Sequence, residues 1–183
     1  MADFDISGWA PRWAPARDQI NLQRTNLLSL RDRQIIDSQV VWDLEHDKWF
    51  ADLPVTLMLD DGRQLEVSWQ KFDDLSITWN TIDVSTTPVA WVTWPLTWRS
   101  QGHESLRAIN GGIITAVAST EHRFTTQQVS PPPTSTEVNS TWLVGGLWLE
   151  TDHAGLHIFN ALDENGLTND PVQVGEDNRL LPL

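Results

Sequence analysis

A mainly β fold, α+β at most, is predicted by three features of this 183-residue chain. Short segments alternate apolar and polar residues, as in Val55, Leu57 and Leu59 and again in Leu65, Val67 and Trp69, the period of a half-buried strand. Turn residues separate them, above all Asp60-Asp61-Gly62-Arg63, since Asp-Gly between alternating runs signals a hairpin. β-branched and aromatic residues fill the runs, as a pleated surface favours. The expected architecture is an antiparallel sheet built from hairpins, sandwich-like or half-barrel-like, with a short helical or extended N-terminal arm over residues 1–30. The length fits a single domain spanning 1–183, in which roughly 70% of the unfolded surface can be buried.

The elements follow in order. Trp9, Pro11, Trp13 and Pro15 disfavour helix, so residues 1–16 read as extended. In RDQINLQRTNLLSL, residues 17–30, Ile20, Leu27, Leu28 and Leu30 lie near helical spacing, while Asn21, Thr25 and Asn26 weaken it. Residues 35–44 read as a strand. The 55–69 hairpin places Thr56, Gln64, Glu66 and Ser68 opposite its apolar face, and that second face is expected to meet water. Leu75, Ile77 and Trp79 repeat the alternation. Residues 89–98, interrupted by Pro95, suggest an edge strand. A long strand follows Gly111-Gly112. TTQQVSPPPTSTEVN, residues 126–140, reads as a surface loop.

A second hairpin is expected from 142–149 and 156–162 around Thr151–Gly155. Leu143, Leu147 and Leu149 mark one apolar face and Trp142, Val144 and Trp148 the other, so this strand should be central and covered on both sides. The tail, 171–183, ends in Leu-Leu-Pro-Leu and is expected to dock back. The two hairpins share an order: strand, polar turn, strand, acidic turn.

Composition works by exclusion. Without cysteine there is no disulfide framework, thiolate zinc site or thiol nucleophile. The opening MADFDISGWAPRW lacks the basic and apolar regions of a signal peptide. No apolar run reaches the ~18 residues of a membrane span. A cytoplasmic protein is expected. The net charge of −13, with only Lys48 and Lys71 as lysines, repels phosphate backbones and leaves basic partners, cationic ligands or metals. There are eleven tryptophans and no tyrosine, so some indoles belong to the core and exposed ones would suit sugar stacking or an interface anchor.

One stretch, WQKFDDLSITWNTIDV at 69–84, supports two readings. Structurally, Trp69, Leu75, Ile77 and Trp79 point inward. Asp73 or Asp74 then organises the connection, and Lys71 pairs with either. Functionally, Asp73, Asp74 and Asp83 with Asn80 form an acidic pocket able to hold a hard cation or do general acid–base work. A second cluster, Phe159 to Gly166, misses the calcium-loop spacing and reads as an Asn-Gly turn with positive φ.

Four of five histidines adjoin an acid: His46-Asp47, His103-Glu104, Glu121-His122 and Asp152-His153. Neighbours on a strand face opposite ways, so adjacency is not expected to make a dyad. His153 and His157 flank a turn into a strand, and no zinc site is expected. No nucleophile elbow, P-loop, dinucleotide fingerprint or HExxH motif occurs.

Residues 41–83, from VVWDLEHDKWFADLPV through QKFDDLSITWNTID, together with FNALDENGL at 159–167, resemble a pattern recurring in uncharacterised bacterial proteins. The resemblance implies that the two hairpins belong to one domain and carries no activity. Its matching residues, the candidate binding positions, are Trp69, Lys71, Asp73, Asp74, Trp79, Asn80, Asn160, Asp163 and Asn165; Asp83 joins them from the acidic pocket.

Acidity, tryptophan content and missing catalytic motifs favour a non-enzymatic binding protein. Its expected partner is a basic protein, as for an immunity protein or antitoxin. The alternatives are a carbohydrate-binding β-module and a metal-assisted enzyme using Asp73, Asp74 and Asp83. No cofactor, metal, nucleic acid or membrane is implied.

Overall fold

Where its prolines end, the N-terminal arm becomes helical. The computed structural model describes residues 6–90, 93–127 and 138–183. β1 (Ala14–Pro15) leads directly into α1 (Ala16–Leu28), with Pro15 extended at the cap and Asp18 in the first turn, where a carboxylate suits the helix dipole. Ile20 and Leu27 face the core while Leu22 faces water.

β2 (Ile35–Asp43), β3 (Lys48–Trp49), β4 (Val55–Leu59), β5 (Gln64–Gln70), β6 (Asp74–Trp79) and β7 (Leu96–Ser100) complete the first sheet. Its order is β1-β6-β5-β4-β2-β3, with β7 also on β2. After α2 (Glu104–Ile109) come β8 (Ile114–Gln127), β9 (Val138–Thr151), β10 (Gly155–Asn160), β11 (Asn165–Thr168) and β12 (Asn178–Pro182). They form a second antiparallel sheet, β11-β10-β9-β8-β12. The tail docks as expected: β12 lies along β8, and the Leu183 amide donates to the Val117 carbonyl at 3.1 Å.

The main core joins the two sheets. Leu57, Val67, Trp69 and Ile77 of the first sheet share one cluster with Val117, Leu147, Leu149 and Ile158 of the second. Ile20 and Leu27 of α1 and Leu106 and Ile109 of α2 belong to the same cluster. This is the sandwich the alternating hairpins predict.

Several expectations are corrected. The face of β4–β5 expected to be wet is sealed: Thr56, Gln64, Glu66 and Ser68 are all buried. A second apolar cluster lies on that side, built from Ile6, Val41, Phe50, Leu53, Ile82 and Leu96, with Trp9, Val84, Trp94 and Trp98 packed against it. The arm is tied down here by the Asp83 amide donating to the Ser7 carbonyl at 2.9 Å and the Arg12 amide to Ser76 Oγ at 2.9 Å. Glu66, 1% exposed, is satisfied by five donors. Oε1 accepts from Gln64 Nε2 and the Thr81 and Ile82 amides, and Oε2 from the Thr78 and Thr81 hydroxyls. Such saturation is what burying a carboxylate demands.

Among the described residues of the edge strand expected over 89–98, β7 starts at Leu96, past Pro95, which cannot donate to a ladder; residues 91 and 92 lie outside the described residues. The expected 126–140 loop is shorter at both ends, because β8 runs to Gln127 and β9 begins at Val138; residues 128–137 lie outside the described residues. In β9, register slips where Thr120 pairs with Gly146 and Glu121 with Val144. Gly145 is thus the extra residue of a bulge, and a bulge exchanges the two faces of a strand. Val144 therefore joins Leu147 and Leu149 in the core instead of Leu143.

Candidate binding surface at the β10–β11 turn

Two turns that are far apart in sequence meet at one end of the sandwich. The first joins β5 to β6 through Lys71, whose φ of 51° is left-handed. Lys71 Nζ lies 3.1 Å from Asp74, an exposed pair that contributes under ~1 kcal/mol. Asp73 begins the helix: its carbonyl and Oδ1 accept the Ala16 amide at 2.9 and 3.3 Å. The second turn joins β10 to β11. Asn160 Nδ2 donates to the carbonyls of Lys71 (2.7 Å) and Phe72 (3.2 Å), while its Oδ1 accepts the Asp163 amide at 3.1 Å. Asn165 reaches deeper. Its Oδ1 accepts the Trp69 amide at 2.9 Å and its Nδ2 donates to the carbonyls of Ala51 (2.8 Å) and Leu53 (2.9 Å).

Trp69, Lys71, Asp73, Asp74, Asn160, Asp163 and Asn165 are thus gathered at one end. Trp79, Asn80 and Asp83 are not. β6 begins at Asp74 and ends at Trp79, which separates the groups by about 17 Å of strand. Trp79 Nε1 donates to Gln23 at 3.0 Å, and Asn80 Oδ1 accepts the Gln64 amide at 2.6 Å. Asp83 accepts from the Ser85 hydroxyl, the Thr86 hydroxyl and the Ser85 amide, which hold its carboxyl below the usual range. The acidic pocket expected from Asp73, Asp74 and Asp83 is not assembled. Among the described residues no group of three or more His, Asp or Glu is placed to hold a metal ion.

The second turn also departs from the expected Asn-Gly geometry. Positive φ falls on Leu162 (62°) and Asp163 (79°), whereas Asn165 and Gly166 already belong to β11. Gly166 is needed for a close approach: it pairs with Phe159, and a Cβ there would sit 2.4 Å from the Phe159 ring. Leu162 stands at the tip, 91% exposed.

A concavity flanks this tip on each side. The first, about 340 Å³, opens on the outer face of the second sheet. Gly145, Thr120, His122 and His157 line it; Phe72, Phe159 and Leu162 stand around it. Phe72, 61% exposed, meets Phe124 edge-on with centroids 5.4 Å apart. Thr120 Oγ1 and His157 Nε2 are 2.8 Å apart, and burial pushes the imidazole pKa down to about 4. The second, about 530 Å³, is lined by Lys48, Trp49, Trp94, Asp52 and Glu164 among others. Burial raises the Asp52 carboxyl; burial first, then the charge of Asp52, raises Glu164, while Lys48 partly offsets the rise at Glu164.

Sequence reasoning missed Phe72, Thr120, His157, Leu162, Asp52 and Glu164. The signal for the first concavity was Gly145-Gly146 inside an apolar strand, which marks a bulge or a close approach. Adjacency of acid and histidine was also misjudged once: Asp152 and His153 lie in a turn, not a strand, and meet at 2.9 Å. His46 pairs instead with Asp43 at 2.7 Å. Of the ten tryptophans described, none is exposed; each is buried or half-buried. No family model, curated protein or solved structure matches the chain.

Proposed function

We propose that this is a non-enzymatic cytoplasmic binding protein that engages a basic protein partner through the β10–β11 turn, in the manner of an immunity protein or antitoxin. One observation carries the reading. Leu162 combines a left-handed backbone with near-complete exposure, an arrangement that costs about 1 kcal/mol and hides no apolar surface. The neighbouring asparagines hold the turn against the first sheet, so the tip is preorganised as an anchor. Asp163 and Glu164 beside it, with Asp52 in the adjoining groove, complement a basic surface, as does the net charge of −13.

The test is a pull-down from native lysate with mass spectrometry, comparing wild type with Leu162→Asp and with Asp163→Lys/Glu164→Lys. The expected result is one basic protein held by wild type and lost by both variants. Its binding, once purified, should weaken at least about tenfold between about 50 and about 500 mM salt. A partner retained by both variants, or bound independently of salt, would place the interface elsewhere.

A second reading has one observation behind it. Trp49 and Trp94 stand with two carboxylates, Asp52 and Glu164, around the larger groove, a lining that suits a sugar. Tryptophan emission that shifts with oligosaccharide would favour it, and flat titrations would remove it.

A further inference from the structure

We infer that the cleft beside Gly145, between Thr120, His157 and Phe159, receives an uncharged phenol ring, presented as a tyrosine side chain of the partner; this rests on the reading of the β10–β11 turn as the interface. Two glycines let imidazoles close down on β9. A Cβ at Gly146 would lie 2.2 Å from His157 Nε2, and one at Gly145 would lie 3.0 Å from His122 Nδ1. The His157 and His122 rings therefore take the places of the missing side chains, and both rings line the cleft. Phe159 tilts against His157 with centroids 4.9 Å apart, and Phe72 and Val172 add apolar wall. A volume near 340 Å³ accommodates one aromatic side chain.

The polar groups select the head group by charge. None of the lining residues is a lysine or arginine. Glu121 is already bound by Arg17 at 2.8 Å and by Arg179, and Asp163 belongs to the exposed turn at the rim. A carboxylate or phosphate entering the cleft would lose its water and meet no cation. An ammonium would leave water for an apolar wall with its counter-charge only at the rim. The Thr120 hydroxyl and the His157 imidazole, neutral at pH 7, offer a hydrogen-bonding pair to a neutral donor–acceptor, which a phenol hydroxyl is. Phe159, Asn160, Leu162 and Asp163 line the cleft and also form the turn. A partner seated on Leu162 is thus within one side chain of the opening.

The experiment uses the isotope-labelled full chain and follows the Gly145 and Gly146 amides and the His157 ring by NMR. The probes are p-cresol, toluene, p-toluate, 4-methylbenzylamine and N-acetyl-tyrosinamide. p-Cresol should bind at these signals, with toluene, p-toluate and the amine each at least about tenfold weaker, as one hydrogen bond or one buried charge implies. N-Acetyl-tyrosinamide should bind more tightly than p-cresol by reaching further over Leu162, and Leu162→Ser should narrow the gap between the two. Thr120→Val, read in a sample whose spectrum stays folded, should reduce p-cresol to the level of toluene. Equal binding of toluene would overturn the head-group assignment. Preference for either ion, or no binding at all, would overturn the ligand class. Binding of p-cresol without N-acetyl-tyrosinamide would overturn the tyrosine source. A partner captured by the turn alongside silent probes removes only the cleft assignment, whereas probes that bind with no partner captured remove the interface reading and with it the tyrosine source.

Discussion

The outer faces of the two sheets begin from similar material and end differently. On the first, Gln64, Glu66 and Ser68 project from β5 and are buried beneath the arm and the second apolar cluster, with Glu66 meeting five donors. On the second, Thr120 and His157 bond to each other and line an open cleft beside Gly145. Gln64 and Glu66 are completed by the fold; Thr120 and His157 retain capacity for something outside it. Polar alternation in a sequence marks a second face, and only the covering segment decides whether that face is structural or available.

The largest expected effect tests closure. Glu66→Ala should cost about 3–5 kcal/mol in urea unfolding, because buried donors lose their shared acceptor. A cost below about 1 kcal/mol would mean that water reaches this face and that the contrast is false.

Acid should single out the open face. The His157 pKa is about 4 in the fold against an ordinary 6.5. Above 6.5 both states are neutral and stability is independent of this group. As pH falls from 6.5 towards 4 the unfolded chain takes the proton first, so stability is lost, by up to about 3 kcal/mol. Glu121, His122 and Asp163 line the same cleft, and the raised carboxyls of Asp52 and Glu164 act in the opposite sense as they protonate. His157→Gln should flatten the acid limb measured between pH 7 and pH 4; an unchanged slope would assign the limb to other groups.

Asn165→Ala should cost about 2 kcal/mol, more than Asn160→Ala, since it strands the Trp69 amide and the Leu53 carbonyl in a buried setting, while the Ala51 carbonyl keeps the Asn165 backbone amide. Equal losses from thermal or urea melts would show the two clamps to be equivalent. The smallest effect has the opposite sign. Leu162→Asn should stabilise the chain by about 0.5–1 kcal/mol, because asparagine tolerates the left-handed region better than leucine, while weakening partner capture. Stabilisation without lost capture would detach the anchor from function.

Much of the scaffold was legible. Alternation placed β4, β5 and β6, Asp-Gly placed their hairpin, and the Leu-Leu-Pro-Leu tail foretold β12. Asn160 and Asn165 were legible as candidates but not in their role, which is to bind one hairpin to the other. Three things were not readable. The cover over Glu66 comes from residues distant in sequence, so no local pattern reports it. The Gly145 bulge reverses the parity on which assigning Val144 to a face depended. Leu162 takes the strained position because Phe159 requires Gly166 inside the strand, moving the tight part of the turn three residues upstream.

The ends of the sheets add a last consequence. β1 and β3 are two residues each, and β1 contains Pro15; β12 contains Pro182 and β11 has four residues. At these four margins, short or interrupted by residues that cannot donate, a foreign segment finds little ladder to extend; β7, five residues without proline and paired only with β2 among the described residues, is the exception. Recognition by backbone pairing, and the fibrous self-association that uses the same chemistry, are disfavoured together at the four short margins. There, what another molecule can grip is left to side chains.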